Sequence, residues 1–314
     1  MTGQRRIRYL NSLNWAACFA LNFYFPPTIS SAGLSVVKLV VQKFGKIPEE
    51  QATEITTTIE ECYERLMPHE VEILDLLLFE SSSAMKSFYS RERAAVGVVS
   101  EDFGEKFFAS HDAWRGTSRI SVCLERIGEL PGLVQVGTLR HEVGHSVLHG
   151  SMEYYIFSIP QPLTEASERF GLSEKFSFNL LYLISIAVKD FEVTRLLSGK
   201  GYVEDQVAYS KYMLSTSEED LAAWRIAEGK PADMALCLAG RLKDAACVIG
   251  LRLGEPSITE WIRDELSYLP GRMVEDFLKV VEEFQRRMVG DTFQNVNAAV
   301  EIFLRGLLEP LFSK

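Results

Sequence analysis

The run Leu139-Arg140-His141-Glu142-Val143-Gly144-His145-Ser146-Val147-Leu148-His149-Gly150 contains the spacing H-E-x-x-H. On a helix, residues four apart lie about 40° apart around the axis, so His141 and His145 can offer two imidazole nitrogens to one metal ion, about a turn apart. Glu142 can then sit beside a water on that metal. Zinc hydrolases need this arrangement: Zn2+ lowers the pKa of the water and polarises a carbonyl, and the glutamate takes the proton. The chain has only 5 histidines, and His141, His145 and His149 are three of them. Apolar Val143, Val147 and Leu148 stand beside the motif. The plain alternative is a helix whose histidines are surface or capping groups.

A catalytic zinc site takes three protein ligands plus water. His149 lies roughly 12 Å along the axis from His141, too far for one metal on a straight helix. It reads instead as a capping group or as a support behind a ligand. The better source is the helix Ile184 to Leu197, with Asp190 and Glu192 competing on faces about 200° apart. Asp190 shares its face with Ile186, Ala187, Val193, Thr194 and Leu197. A carboxylate on so apolar a face needs a partner, and a metal is one. Glu192 has Lys189 and Arg195 three residues away on either side, as in a solvated ion-pair arrangement. Asp190 is therefore the expected third ligand, with Glu192 second and Glu165 or Glu168 as further candidates.

The stretch around His141 resembles the active-site helix of zincin metallopeptidases. His-Glu-x-Gly-His followed by Leu-His is similar to the gluzincin-like and phage-repressor-cleaving types. The metzincin pattern fails, because Leu148 and Ser151 stand where it requires Gly and His. Gluzincins take a Glu from a later helix and aspzincins an Asp. Asp190-x-x-Val193-Thr194 resembles part of the N-I-A-x-D-x-x-V/I-N pattern of some metallopeptidases, in which the Asp is the ligand. The resemblance extends over about residues 70–200. It implies an edge strand ahead of the helix that pairs with extended substrate, and Arg119–Leu124 stands in that position.

The elements around the motif follow from periodicity and breakers. Residues 35–44 are β-branched and apolar, and fit either a strand or a helix. Residues 49–67 carry Ile55, Ile59, Cys62 and Leu66 at helical spacing. Residues 71–79 read as a buried strand and 84–93 as a helix. Three short strands are expected at Ala94–Ser100, Lys106–Ser110 and Arg119–Leu124. In the last, Ile120 and Val122 face one way, Ser121 and Cys123 the other. A Pro131-Gly132 break precedes the helix Leu133–His149, which Gly150 closes. A loop holding Pro160 and Pro162 leads to a helix over Phe176–Leu197. Further helices fit 203–214, 218–228, 231–250, 257–267, 272–289 and 293–312. Ser81-Ser82-Ser83 reads as a capped helix start.

The 314 residues are 47% hydrophobic and 24% charged, which excludes a disordered or collagen-like chain. The net charge of −10 argues against affinity from phosphate neutralisation, so no nucleic-acid partner is expected. Residues 1–48 carry +6 and the rest −16. The Arg5-Arg6-Arg8 start followed by Trp15 to Leu21 imitates a targeting segment, but Asn11, Asn14 and Asn22 interrupt it. It reads as a segment packed on the core, with a frayed or wrongly assigned start, export or an anchor as the alternatives. Cys18, Cys62, Cys123, Cys237 and Cys247 form no C-x-x-C pair and read as scattered thiols of a reducing compartment.

The expectation is an α+β chain in three parts: a basic and apolar segment 1–48, a zincin-like lobe 49–160, and a helical lobe 161–314 that supplies the third ligand. It is a cytoplasmic zinc metallopeptidase acting on a peptide or protein, with no stable membrane insertion and one Zn2+ per chain held by His141, His145 and Asp190. Glu142 is the base. His111 and Trp114 are expected at a cleft rim or in a packed turn. Tyr154 or Tyr155 either stabilises an oxyanion or packs in the core. The rivals are a zincin-like regulator that does not cleave, a helical partner-binding protein with an accidental motif, and a small-molecule amide hydrolase.

Overall fold

A computed structural model describes residues 36–95, 108–251 and 255–313. It is an α+β fold in which a small mixed sheet is followed by helices. The strands are β1 (Lys38–Phe44), β2 (Ile73–Phe79), β3 (Ala109–Asp112) and β4 (Arg119–Cys123). The ambiguous segment 35–44 thus contains a strand. The sheet order is β1-β2-β4-β3, with β3 alone antiparallel to its neighbour. The expected strand Ala94–Ser100 gives way to the end of helix α2 (Ser82–Ala95), and 96–100 lie outside the described residues. Lys106 and Phe107 also lie outside them, and the strand expected there begins at Ala109.

Alternation in β2 and β4 divides the sheet's two faces. Leu74, Leu76, Leu78, Ile120 and Val122 join one core with Ile55, Ile59, Cys62 and Leu66 of α1 (Glu49–Leu66) and Val143 of α4 (Gly132–His149). Leu77, Phe79 and Cys123 face the other way, against Met85 and Tyr89 of α2. The period of two in the strands and the apolar stripe of α1 make this sandwich. Helix α4 is tied to α1 by a 2.6 Å hydrogen bond between the Tyr63 hydroxyl and Ser146 Oγ. A short helix, α3 (Leu124–Ile127), links β4 to the Pro131 break.

The remaining helices are α5 (Gln161–Phe170), α6 (Glu174–Gly199), α7 (Glu204–Leu214), α8 (Glu218–Ala227), α9 (Pro231–Gly250), α10 (Glu255–Glu265), α11 (Gly271–Arg287), α12 (Thr292–Phe303) and α13 (Glu309–Phe312). A second core, with Leu242, Ile249, Phe277, Phe284 and Phe303, fills the space among them. Helix α5 replaces part of the expected loop, because Pro160 caps it and Pro162 lies in its first turn, where proline costs no hydrogen bond. The single helix expected over 293–312 is interrupted by a π turn at Leu304–Leu308. Pro310 has no N–H to donate and its ring crowds the carbonyl of Gly306, so regular α geometry cannot run through it. Cys62, Cys123, Cys237 and Cys247 are free thiols, and Cys18 lies outside the described residues. Among the described residues, no helix is long and apolar enough to cross a membrane.

Helix α6 lies close against α4 because Gly144, inside the H-E-x-x-H motif, has no side chain. A Cβ there would stand 2.6 Å from Val193 Cγ1. Gly240 of α9 has nothing within 4 Å of the equivalent point. Opposite results are therefore expected from the same substitution. Gly240→Ala gains about 1 kcal/mol of helix propensity. Gly144→Ala gains the same but meets an overpacking cost of about 1–3 kcal/mol, for a net loss of about 1 kcal/mol. Urea unfolding of the two variants reads both signs, and a stabilised Gly144→Ala would refute the tight approach.

Candidate metal centre

The three histidines of α4 form a stripe, at four-residue intervals, along the face turned to α6. His141 and His145 come together at their Nε2 atoms, 3.1 Å apart. Asp190 Oδ1 of α6 stands 3.1 Å from His145 Nε2 and 3.6 Å from His141 Nε2. The apolar face that carries Asp190 packs inward, as its neighbours Ala187, Val193, Thr194 and Leu197 are buried. The structure thus brings the three expected ligands to one point.

The electrostatics suit a cation. Burial opposes ionisation of Asp190, but the adjoining imidazoles of His141 and His145 outweigh it and hold the carboxyl well below the usual range. Burial pushes the His145 imidazole down to about 3, against the pull of Asp190. Two ring nitrogens and a carboxylate oxygen at these distances are mutually repulsive unless protons or a metal lie between them. Zinc bonds of about 2.0–2.1 Å at tetrahedral angles place ligand atoms about 3.4 Å apart. The observed edges of 3.1, 3.1 and 3.6 Å bracket that value, so the three donors could hold a divalent ion of that size.

Glu142 is buried beside the cluster. Its carboxylate accepts a hydrogen bond from the main-chain N–H of His111 on β3, and burial, aided by the nearby Asp190 charge, raises its pKa to about 7. The pairing register explains why that N–H is available. Cys123 donates to Phe108 O, so Ser110 and Asp112 also turn their main-chain groups to β4, while those of Ala109 and His111 point away from it. This also corrects an expectation. Arg119–Leu124 is not an edge: β4 lies between β2 and β3, and β3 ends the sheet among the described residues.

His111 is expected, with Trp114, at a cleft rim or in a packed turn. Its ring stacks on His145 at 6.2 Å, and its nitrogens are hydrogen-bonded to Ser118 Oγ (2.6 Å) and to the Tyr155 hydroxyl (2.9 Å). Tyr154 packs edge-on against His149. The Arg115 and Arg119 guanidinium groups lie over Trp114. Lys189 places its ammonium over the Tyr155 ring and donates to Tyr154 O, and burial lowers its pKa to about 8.

Glu192 does not form the solvated ion pairs expected of it. Lys189 is engaged as above and Arg195 donates to Met288 O. Glu192 instead meets His149 Nε2 (3.0 Å), Thr292 Oγ1 (2.8 Å) and Asn295 Nδ2 (2.6 Å), because α12 covers that face of α6. His149 in turn lies 3.3 Å from His145, Nδ1 to Nδ1. Glu165 and Glu168 are exposed on α5, apart from the cluster.

Sequence reasoning missed Cys247, Thr292 and Asn295. Ligand atoms of His141, Asp190 and Cys247 all lie within 4.8 Å of one another. The buried, apolar face of α9 gave no sign that this thiol meets the site, and burial keeps the thiol pKa well above its ordinary value. Comparison of the chain with protein-family models, curated proteins and solved structures found no match.

Proposed function

We propose that the chain is a zinc-dependent metallohydrolase of zincin type, acting on peptide bonds. The observation that carries this reading is the convergence of His141 Nε2, His145 Nε2 and Asp190 Oδ1 at near-tetrahedral spacing, with the Glu142 carboxylate beside them. His141, His145 and Asp190 would hold Zn2+, whose Lewis acidity would polarise a scissile carbonyl and acidify a water. Glu142 takes the proton of that attacking water and later delivers it to the leaving amine. The His111 N–H holds the carboxylate in place for both transfers. His145 and Asp190 are the more exposed ligands, at 14% and 13% of their side chains against 2% for His141, so substrate approaches from their side.

Elemental analysis of the purified chain is expected to give about one zinc per chain. Cleavage in a quenched-fluorescence peptide library should disappear on chelation and return with added Zn2+. A folded chain that neither contains nor takes up zinc overturns the proposal.

The proximity of Cys247 favours one second reading. A thiolate beside His141 and Asp190, with His145 next to them, would complete four protein ligands and make a non-cleaving structural or regulatory centre. The raised thiol pKa opposes it. Cys247→Ser separates the two: an open site keeps its zinc and its hydrolysis, whereas a closed one loses metal affinity.

A further inference from the structure

Glu192, His149 and His145 form a chain of hydrogen bonds whose direction is fixed at one end. The Glu192 carboxylate can only accept, and three groups surround it: Thr292 Oγ1, Asn295 Nδ2 and His149 Nε2. The orientation of the Asn295 amide is itself set by Gly290, whose N–H donates to Oδ1 at 3.0 Å and whose carbonyl accepts from Nδ2 at 3.1 Å. Asp291 caps the same turn by accepting from Gln294 N at 2.8 Å. The start of α12 is therefore a rigid donor platform.

From that end the protons can be assigned in turn. His149 is fully buried, so water cannot substitute for a partner. Its Nε2 must carry a proton, since a bare lone pair would face the carboxylate at 3.0 Å. The neutral ring then has an accepting Nδ1, which receives the Nδ1–H of His145 across 3.3 Å. With a metal at the point shared with His141 and Asp190, His145 Nε2 would then be free to direct its lone pair at it.

We propose that Glu192, held by Thr292 and Asn295, is a positioning residue that sets the tautomers of His149 and His145 and so orients His145 as a metal ligand. By this route the C-terminal helices control a ligand on α4. The proposal rests on the metallohydrolase reading for its purpose, but its proton pattern is measurable without metal.

The test uses the full chain labelled with 15N-histidine, zinc-free and zinc-loaded, with long-range 1H–15N NMR reporting the protonated nitrogens. His149 is expected as the Nε2–H tautomer in both states, and His145 with its proton on Nδ1 in the zinc-loaded state, where the metal takes the Nε2 lone pair. Glu192→Leu should release the His149 tautomer and weaken zinc binding, measured against a competing chelator, by about 10–100-fold. Glu192→Gln keeps an accepting oxygen and should restore the tautomer. If Glu192→Leu does not fold, Thr292→Val removes one donor to Glu192 with little change of shape and should weaken zinc in the same direction. Nδ1-protonated His149 in the wild type, or unchanged tautomers and zinc affinity in the variants, overturns the proposal. A chain with the expected His149 tautomer that takes up no zinc sinks the metallohydrolase reading and leaves the relay standing.

Discussion

Asp190→Ala is expected to purify with little zinc and to bind added Zn2+ about 10²–10³-fold more weakly than the wild type. The magnitude follows from sharing an apparent zinc affinity of about 10–16 kcal/mol among four ligands, or about 2.5–4 kcal/mol each. The direction follows from geometry, since Asp190 Oδ1 is the third corner of the cluster at 3.1 and 3.6 Å from the two histidines. Removing it leaves two imidazoles, which rarely retain a catalytic metal. The variant should still fold, because the substitution takes a charge out of the interior and adds nothing to the α4–α6 contact. Circular dichroism checks this beside the zinc measurement. Full zinc affinity in folded Asp190→Ala would exclude Asp190 and direct attention to Cys247.

Glu142→Gln is expected to keep its zinc and to lose about 10²–10⁴-fold in kcat, the usual contribution of a general base. The amide retains an oxygen to accept the His111 N–H, so the side chain should stay where the carboxylate is held. It cannot take a proton from the attacking water. The effect should fall on kcat with KM little changed, because the group acts in the reaction and not in holding substrate. Steady-state kinetics at saturating zinc, with metal content measured on the same sample, distinguish this from metal loss. Undiminished hydrolysis by a zinc-replete Glu142→Gln would remove Glu142 from the mechanism.

What was legible in the sequence was local. His141 and His145 share a helical face by spacing alone, and Asp190 stood out as an acid on an apolar face. The strand alternation at Ile120 and Val122 likewise separated the two sides of the sheet. What was not legible depends on partners distant in the chain. Glu192 seemed a surface residue because its local neighbours are Lys189 and Arg195, whereas its actual partners, Thr292 and Asn295, come from another helix. The order of β3 and β4 is set by pairing, which no single strand encodes. Helix α5 was hidden by its prolines, which read as breakers in a loop and act as a start in a first turn.

Helix α6 and its neighbours serve both cores, and this governs the order in which the chain can be completed. The core under the sheet contains Val143 from α4, but also Val193 and Leu197 from α6, Tyr202 and Tyr209 that follow it, and Cys247 from α9. Cys247 is made about a hundred residues after Val143, which at about 5–20 residues per second means a wait of about 5–20 s on the ribosome. Until α6 and α7, which pack on α4, have been made, the histidine-bearing helix has its sheet but not its other wall. The nascent chain then carries a half-covered α4, so slowing synthesis between Ser146 and Leu214 is expected to lower the yield of folded protein.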